Sequence, residues 1–183
     1  MDGIDISMLI TITGIIGIIF NIISVGVNKK ILIIFALLSN IFFATHYSLI
    51  GAYSGALSCV TISLLALIVY MYHSRGSNTP ELISVFFICI FILSGVFNSN
   101  INLDGIDLLP ILSTIINLYA LNNKSIKVAK FYYLIICVLW IVYDLNIPII
   151  SWENITSQTL VIIFNIVTFL FPNALTQLKK KIN

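Results

Sequence analysis

The stretch ISMLITITGIIGIIFNIISVGV, residues 6–27, contains no charged side chain. A helix of roughly 20 apolar residues spans the hydrocarbon core of a bilayer, so this stretch is long enough to cross a membrane. It is also longer than the core of a signal peptide, and the residues before it, MDGID, are acidic rather than basic. We therefore expect it to remain in the protein as a first membrane helix.

The rest of the chain has the same character. Hydrophobic residues make up 60% of it and charged residues 9%, and the mean hydropathy is +1.10, whereas about a quarter of the residues of a soluble domain are charged. The composition predicts an all-α integral membrane protein with the lipid bilayer as its surroundings. A net charge of +2 gives no support to a nucleic-acid partner. The cysteines are odd in number and lie in apolar runs, which argues against disulfides and a metal site; they are Cys59, Cys89 and Cys137.

Seven apolar segments, separated by short polar connections, predict seven transmembrane helices. They lie near residues 6–27, 31–50, 52–72, 81–98, 108–122, 128–147 and 156–176. If the N-terminus is outside, all nine lysines and arginines fall on the inner side of the membrane. Because basic residues concentrate in cytoplasmic loops, we predict the N-terminus outside and the C-terminus inside.

An odd number of helices suggests two repeats joined by a linker helix. A shift of 97 positions places Phe43 on Trp140 and His46 on Tyr143, and the charges of the connecting loops also match. We therefore predict a three-plus-one-plus-three arrangement, with two parallel triple-helix bundles of the same orientation. The predicted units are a first bundle at 1–76, a linker helix at 77–100 and a second bundle at 101–183.

Polar side chains recur inside these segments at helical spacing. Asn40, Phe43 and Tyr47 share one face of the second segment, and Trp140 and Asp144 share one face of the sixth. An unpaired polar group in lipid costs several kcal/mol, so these faces must point at protein or at a water-filled cavity. The residues predicted to bind a solute are Asn40, Phe43, Ser63, Asn117, Trp140 and Asn165. The residues predicted to form a gate are His46, Tyr47, Pro110, Tyr143 and Asp144.

Simpler interpretations stand beside these. The small and polar residues Gly14, Gly17 and Asn21 are typical of helix packing and interhelical hydrogen bonds. His46 and Asp144 lie near the predicted outer surface and could meet lipid headgroups. Pro110 could mark a hinge, or could simply begin its helix, where proline is well tolerated.

The stretch SNIFFATHYSLIGAYSGAL, residues 39–57, with the serine-rich segment that follows, resembles the YgjV family of bacterial inner membrane proteins. That resemblance implies a location in the inner membrane. The three-plus-one-plus-three plan is similar to the PQ-loop/SWEET superfamily and the PnuC vitamin transporters, whose triple-helix bundles enclose a solute site at mid-membrane. VLWIVYDLNIP, residues 138–148, looks like the second-helix motif of a SWEET repeat. The chain departs from that pattern because it lacks a Pro-Gln pair and has no tryptophan in the first bundle.

No nucleotide-binding loop or catalytic constellation is present in the sequence, so we expect neither an enzyme nor a cofactor. The leading hypothesis is a carrier for a neutral solute of the size of a sugar or nucleoside, which works by alternating access. Only Asp144 and His46 could carry a proton, and their peripheral positions favour a uniporter. The alternative is a scaffold, receptor or assembly protein that transports nothing, because a fold does not determine a function. The solute and a homo-oligomeric state are left open.

Overall fold

The computed structural model describes residues 5–26, 29–75, 77, 80, 82–83, 85–86, 89–90, 93, 105–122 and 126–170. In these residues the chain is all-helical, as predicted, with six α-helices and one 3₁₀ turn. The helices are α1 (Ile6–Gly26), α2 (Lys29–Leu49), α3 (Tyr53–Ser74), α4 (Leu108–Asn122), α5 (Ile126–Asn146) and α6 (Trp152–Leu170), and the 3₁₀ turn, Gly105–Asp107, leads into α4.

Six of the seven predicted segments correspond to these helices, while most of the fourth, 81–98, lies outside the described residues. The seven-helix count and the orientation therefore stay predictions. One boundary is wrong: α6 begins at Trp152 and not at 156. Ser151 caps it, because its hydroxyl accepts the backbone N–H of Asn154 at 3.4 Å and its carbonyl accepts that of Ile155 at 3.1 Å.

The outer surface of the helices is apolar and the interior contains polar groups. Among the described residues, Ile6–Ser24 and Tyr53–Tyr72 are long and apolar enough to cross a bilayer, with mean hydropathies of 2.4 and 2.0. Large apolar side chains are exposed on all six helices. On α3 the exposed stripe is Val60, Leu64, Leu67 and Met71, whereas Ser54, Ser58 and Thr61 are buried on a different face of the helix. Such an apolar surface is favourable in contact with lipid and unfavourable in contact with water.

The six helices form a closed ring in chain order. Each helix packs against the helix before and after it, α3 packs against α4, and α6 packs back against α1. We call α1–α3 the first helix group and α4–α6 the second. The two interfaces between the groups are therefore α3 with α4 and α6 with α1, to which the ends of α2 and α5 add further contacts.

Both interfaces pair helices that run in the same direction. Ser54 and Ser58, at the start of α3, are hydrogen-bonded to Asp107 and Thr114, at the start of α4. The start of α4 is therefore level with the beginning of α3, at the other end of the bundle from Ser74, where α3 ends.

A tight reversal brings the end of α2 beside the start of α3. Gly51 has φ +78°, the left-handed conformation that favours glycine. The N–H of Ala52 donates to the carbonyl of Tyr47 at 2.9 Å. We call this end of the molecule, where α1, α3, α4 and α6 begin and α2 and α5 end, the network end.

The main hydrophobic core joins the two helix groups towards the network end. It includes Phe43 and Tyr47 from α2 and Trp140 and Tyr143 from α5. A smaller core nearer the opposite end belongs to the first group alone and consists of Ile33, Leu65, Ala66 and Val69. Packing between the groups is thus concentrated at one end of the molecule.

Candidate functional site

Three polar side chains form a closed triangle in the interior of the network end. The Tyr47 hydroxyl donates to Asp144 Oδ1 at 2.5 Å. The Asn154 amide donates to the Tyr47 hydroxyl at 2.6 Å and to Asp144 Oδ2 at 2.7 Å. All three are buried. Tyr47 belongs to the first helix group and the other two to the second, so the triangle joins the groups.

Local structure and aromatic packing position this triangle. Tyr47 and Asp144 lie in the last turns of α2 and α5, and Asn154 lies in the first turn of α6. The Trp140 ring stacks on Tyr47 at 5.4 Å between centroids with an interplanar angle of 23°. Tyr143 meets Trp140 edge-on at 5.7 Å. Stacked and edge-on contacts of this kind fix ring positions, and hence the hydroxyls that the rings carry.

A second contact joins the groups through Tyr143. Its hydroxyl is 2.8 Å from Ser54 Oγ and accepts the backbone N–H of Gly55 at 3.0 Å. Ser54 also donates to Asp107 Oδ1 at 2.5 Å. A Cβ on Gly55 would lie 2.9 Å from Cε1 of Tyr143, so this approach requires glycine.

A third contact involves His46 and the cap of α6. His46 Nδ1 lies 3.0 Å from the carbonyl oxygen of Ile10, and Nε2 lies 2.9 Å from Ser151 Oγ. A carbonyl can only accept, so Nδ1 donates to Ile10, and Nε2 shares a hydrogen bond with the Ser151 hydroxyl. A serine beside an imidazole can serve as a nucleophile, but this serine is fully buried and caps a helix. Its role here is structural.

A fourth contact surrounds the carbonyl oxygen of Pro110. The hydroxyls of Ser58, Ser113 and Thr114 lie 2.8–2.9 Å from that oxygen. Ser58 belongs to α3, whereas the others belong to α4. Pro110 lies in the first turn of α4. In that turn the backbone N–H groups have no partner within the helix, so a proline there costs no hydrogen bond. Its position is therefore that of the helix-start interpretation.

The structure therefore brings the five predicted gating residues to the same end of the molecule, in contacts between the groups. His46 and Asp144 are buried in protein, so the headgroup interpretation of these two residues is wrong. Phe43 and Trp140, predicted to bind a solute, pack in the core beside the triangle. Phe43 also lies against Gly17, which supports the packing interpretation of that glycine.

The remaining predicted solute-binding residues lie deeper. Asn40 is half-buried and donates to the carbonyl of Ala36 at 2.7 Å, and Ser63 is buried and donates to the carbonyl of Cys59 at 2.8 Å. Asn165 is also buried. Asn117 is buried, and its Oδ1 is the one buried side-chain oxygen or nitrogen in the described part of the chain that has no hydrogen-bond partner.

Sequence reasoning missed two members of the network. Asn154 and Ser151 lie before the predicted segment that begins at 156, because the apolar run resumes only after them. A helix start was detectable, since serine followed by an acidic residue, here Glu153, is typical of an N-cap and first turn. Among the cysteines, Cys89 is exposed, whereas Cys59 and Cys137 are buried.

Comparison with known proteins identifies one family. A family profile described as Imp-YgjV, bacterial inner membrane protein, matches residues 8–171. No curated protein and no solved structure matches the chain.

Proposed function

Because the chain belongs to the Imp-YgjV family of bacterial inner membrane proteins, we propose that it is a carrier for a small neutral solute of the size of a sugar or nucleoside. The solute binds between the two helix groups at mid-membrane, and rocking of one group against the other gives alternating access. One observation carries the proposal, namely the buried Asn117 Oδ1 without a hydrogen-bond partner among the described residues.

A buried acceptor without a partner costs about 1–3 kcal/mol. A bound solute with a hydroxyl or N–H group would supply the missing donor. Asparagine also offers two donors of its own and carries no charge, so it suits a neutral, hydroxyl-bearing solute better than an ion.

Other predicted solute-binding residues lie at the depth of Asn117. At a rise of about 1.5 Å per residue, Asn40, Ser63 and Asn117 are each about 14–15 Å from the network end of their helices. Half the hydrocarbon thickness is about 15 Å. These residues come from three helices and both groups, which supports a polar layer at mid-membrane between the groups.

The contacts at the network end support the gating part of the proposal. The triangle and the Tyr143, His46 and Pro110 contacts all join one group to the other. Rocking of the groups must break them, so they hold the carrier closed at this end. In the predicted orientation this is the outer side of the membrane.

The ring also supports a repeat of three helices. If the first group is matched helix by helix to the second, the α1–α2 contact corresponds to the α4–α5 contact, and the α3–α4 contact corresponds to the α6–α1 contact. The α6–α1 pair runs in one direction, as α3–α4 does, because Gly14 meets Glu153 and, further along both helices, Asn21 donates to Ser157 at 2.7 Å. Two parallel bundles joined by one linker helix would produce this pattern.

The scaffold alternative is favoured by a different observation. Apart from Asn117 Oδ1, the buried side-chain polar atoms of the described residues all have hydrogen-bond partners. A protein that never opens could keep these hydrogen bonds permanently, whereas a carrier must break and re-form those at the network end in each cycle.

Transport by purified protein in proteoliposomes decides between these functions. A panel of radiolabelled sugars and nucleosides should include at least one that equilibrates faster than in protein-free vesicles. For that solute, Asn117→Ala should weaken binding by about 1–3 kcal/mol, roughly 5- to 150-fold, without loss of stability. Asn165→Ala and Trp140→Ala should also weaken binding if these residues contact the solute.

Asn146→Ala is the matched control, since Asn146 is exposed and donates only to the carbonyl of Val142 in its own helix. It should bind and transport like the parent. If no solute in the panel crosses, or if Asn117→Ala, Asn165→Ala and Trp140→Ala fold and transport normally, the central-site proposal is wrong and the scaffold function replaces it.

A further inference from the structure

Charged residues are distributed unequally between the two ends of the helix bundle. We call the end opposite the network end, where α2 and α5 begin and α3 ends, the basic end. The basic residues of the described ranges all lie there; they are Lys29, Lys30, Arg75, Lys127 and Lys130. The acidic residues of the same ranges all lie at the network end; they are Asp5, Asp107, Asp144 and Glu153. A negatively charged partner is therefore attracted to the basic end and repelled from the network end.

Three of these basic residues lie at the neighbouring ends of α2 and α3. Lys29 and Lys30 are the first residues of α2, and Arg75 directly follows the last residue of α3. The two helices run in opposite directions and are joined by the tight reversal at the network end, so the start of α2 and the end of α3 lie at the same end of the bundle. The smaller core packs these two helices together near that end; it consists of Ile33, Leu65, Ala66 and Val69.

The exposed apolar stripes of α2 and α3 both reach a basic residue at this end. On α3 the stripe ends at Met71, which is 47% exposed and lies four residues before the exposed Arg75. The backbone N–H of Arg75 donates to the carbonyl of Tyr72 at 3.1 Å, so the helical path continues as far as Arg75. On α2, Lys30 lies four residues before the exposed Ile34, a spacing that places two residues on one helix face. Each stripe thus joins an apolar surface to a positive charge.

This arrangement has the chemistry that an anionic phospholipid requires. The acyl chains of such a lipid contact the apolar stripes, and its phosphate meets the basic residues at their end. Arginine binds a phosphate through two parallel hydrogen bonds, and lysine binds it as a point charge. A zwitterionic phospholipid gains less, because its own ammonium group offsets the charge of its phosphate. At the network end the exposed Trp152 is followed by Glu153, so that end does not favour an anionic headgroup.

We propose that the outer face of α2 and α3 at the basic end binds an anionic phospholipid, with the lipid phosphate held by Lys30 and Arg75. In the predicted orientation this lipid belongs to the inner leaflet of the membrane. Both helices are members of the first helix group, so the bound lipid anchors that group without contact to the network end. The site is separate from the solute site proposed above and does not depend on transport.

Quenching of tryptophan fluorescence by brominated lipids tests the proposal at each end separately. Met71→Trp places a reporter on the α3 stripe beside Arg75, and Trp152→Phe in the same chain removes the exposed native tryptophan. Trp140 stays, because it is 5% exposed and lipid does not reach it. The protein is reconstituted in phosphatidylcholine vesicles that contain brominated phosphatidylglycerol or brominated phosphatidylcholine with the same acyl chains. The parent chain, which reports from Trp152 at the network end, is the matched control.

We expect phosphatidylglycerol to bind more tightly than phosphatidylcholine beside the Met71→Trp reporter. A basic residue near the membrane surface strengthens anionic-lipid binding about fivefold, so two give a preference of up to about 30-fold. Trp152 in the parent chain should show no such preference. Lys30→Gln combined with Arg75→Gln should abolish the preference in the reporter chain. Lys30→Arg combined with Arg75→Lys keeps both charges and should keep the preference.

Three results would overturn the proposal: equal binding of the two lipids beside the Met71→Trp reporter, the same preference for phosphatidylglycerol at Trp152, or a preference that survives in the glutamine double variant. If that variant does not fold, a salt titration of the reporter chain replaces it. The preference must then fall between about 0.01 M and about 1 M salt, because salt screens exposed charges, and a preference independent of salt would equally overturn the proposal. Because no solute is involved, this outcome is separate from that of the transport panel.

Discussion

Removal of one oxygen atom, in Tyr47→Phe, should weaken the contact between the two helix groups. Phenylalanine keeps the ring that stacks on Trp140 and removes only the hydroxyl. Two hydrogen bonds disappear, one to Asp144 and one from Asn154. Both former partners are buried in protein, where no solvent is at hand to replace the hydroxyl.

The magnitude follows from the two lost bonds. A hydrogen bond to a charged group contributes about 1.5–3 kcal/mol and one between neutral groups about 0.5–1.5 kcal/mol. The free energy of unfolding should therefore fall by about 2–4.5 kcal/mol. The hydrophobic contribution should not change, since the ring and its neighbours stay in place.

Equilibrium unfolding in mixed detergent micelles measures this difference, with the fluorescence of Trp140 as a local signal. Tyr53→Phe is the matched control because Tyr53 is 44% exposed at the start of the next helix. The control should lie within about 0.5 kcal/mol of the parent, as is usual for surface substitutions. If Tyr47→Phe is as stable as Tyr53→Phe, the hydroxyl does not hold the groups together and the triangle has no energetic role.

Two further predictions concern packing and orientation. Gly55→Ala should lower the free energy of unfolding by about 1–3 kcal/mol through overpacking, because the new Cβ would lie 2.9 Å from the Tyr143 ring. The higher helix propensity of alanine should offset up to about 1 kcal/mol of this loss. Unchanged stability would mean that the Tyr143 ring moves aside freely. In intact cells, an impermeant thiol reagent should label Gly3→Cys but not Ile182→Cys, since the basic residues predict an outside N-terminus, and the opposite pattern would reverse the orientation.

Sequence patterns predicted much of the local structure. The α4 range, 108–122, agrees with the structure, because an apolar run between polar connections marks a helix directly. The buried faces of α2 and α5 were also predicted, since Tyr47, Trp140 and Asp144 occur at helical spacing. The start of α6 was not, because the residues that open it are polar and only the N-cap of Ser151 distinguishes them from a loop.

The candidate site was predicted in part for the same reason. Helical period identifies the residues that face the interior, and the structure brings the five predicted gating residues together at one end. Helical period does not identify partners. Asn154 became part of the site only because the turn after α5 brings the first turn of α6 back to Asp144, at 2.7 Å.

By itself, the amino-acid sequence determined that this protein is helical, that it belongs in a membrane and which faces of its helices avoid lipid. These properties depend on composition and on the 3.6-residue period, which are local. Only the tertiary structure decided that Tyr47 meets Asp144 and Asn154, which lie 97 and 107 positions away along the chain, and that Asn117 keeps a buried oxygen without a partner in the described residues. Such pairings depend on the order, direction and depth of neighbouring helices, which the period of any single helix does not contain.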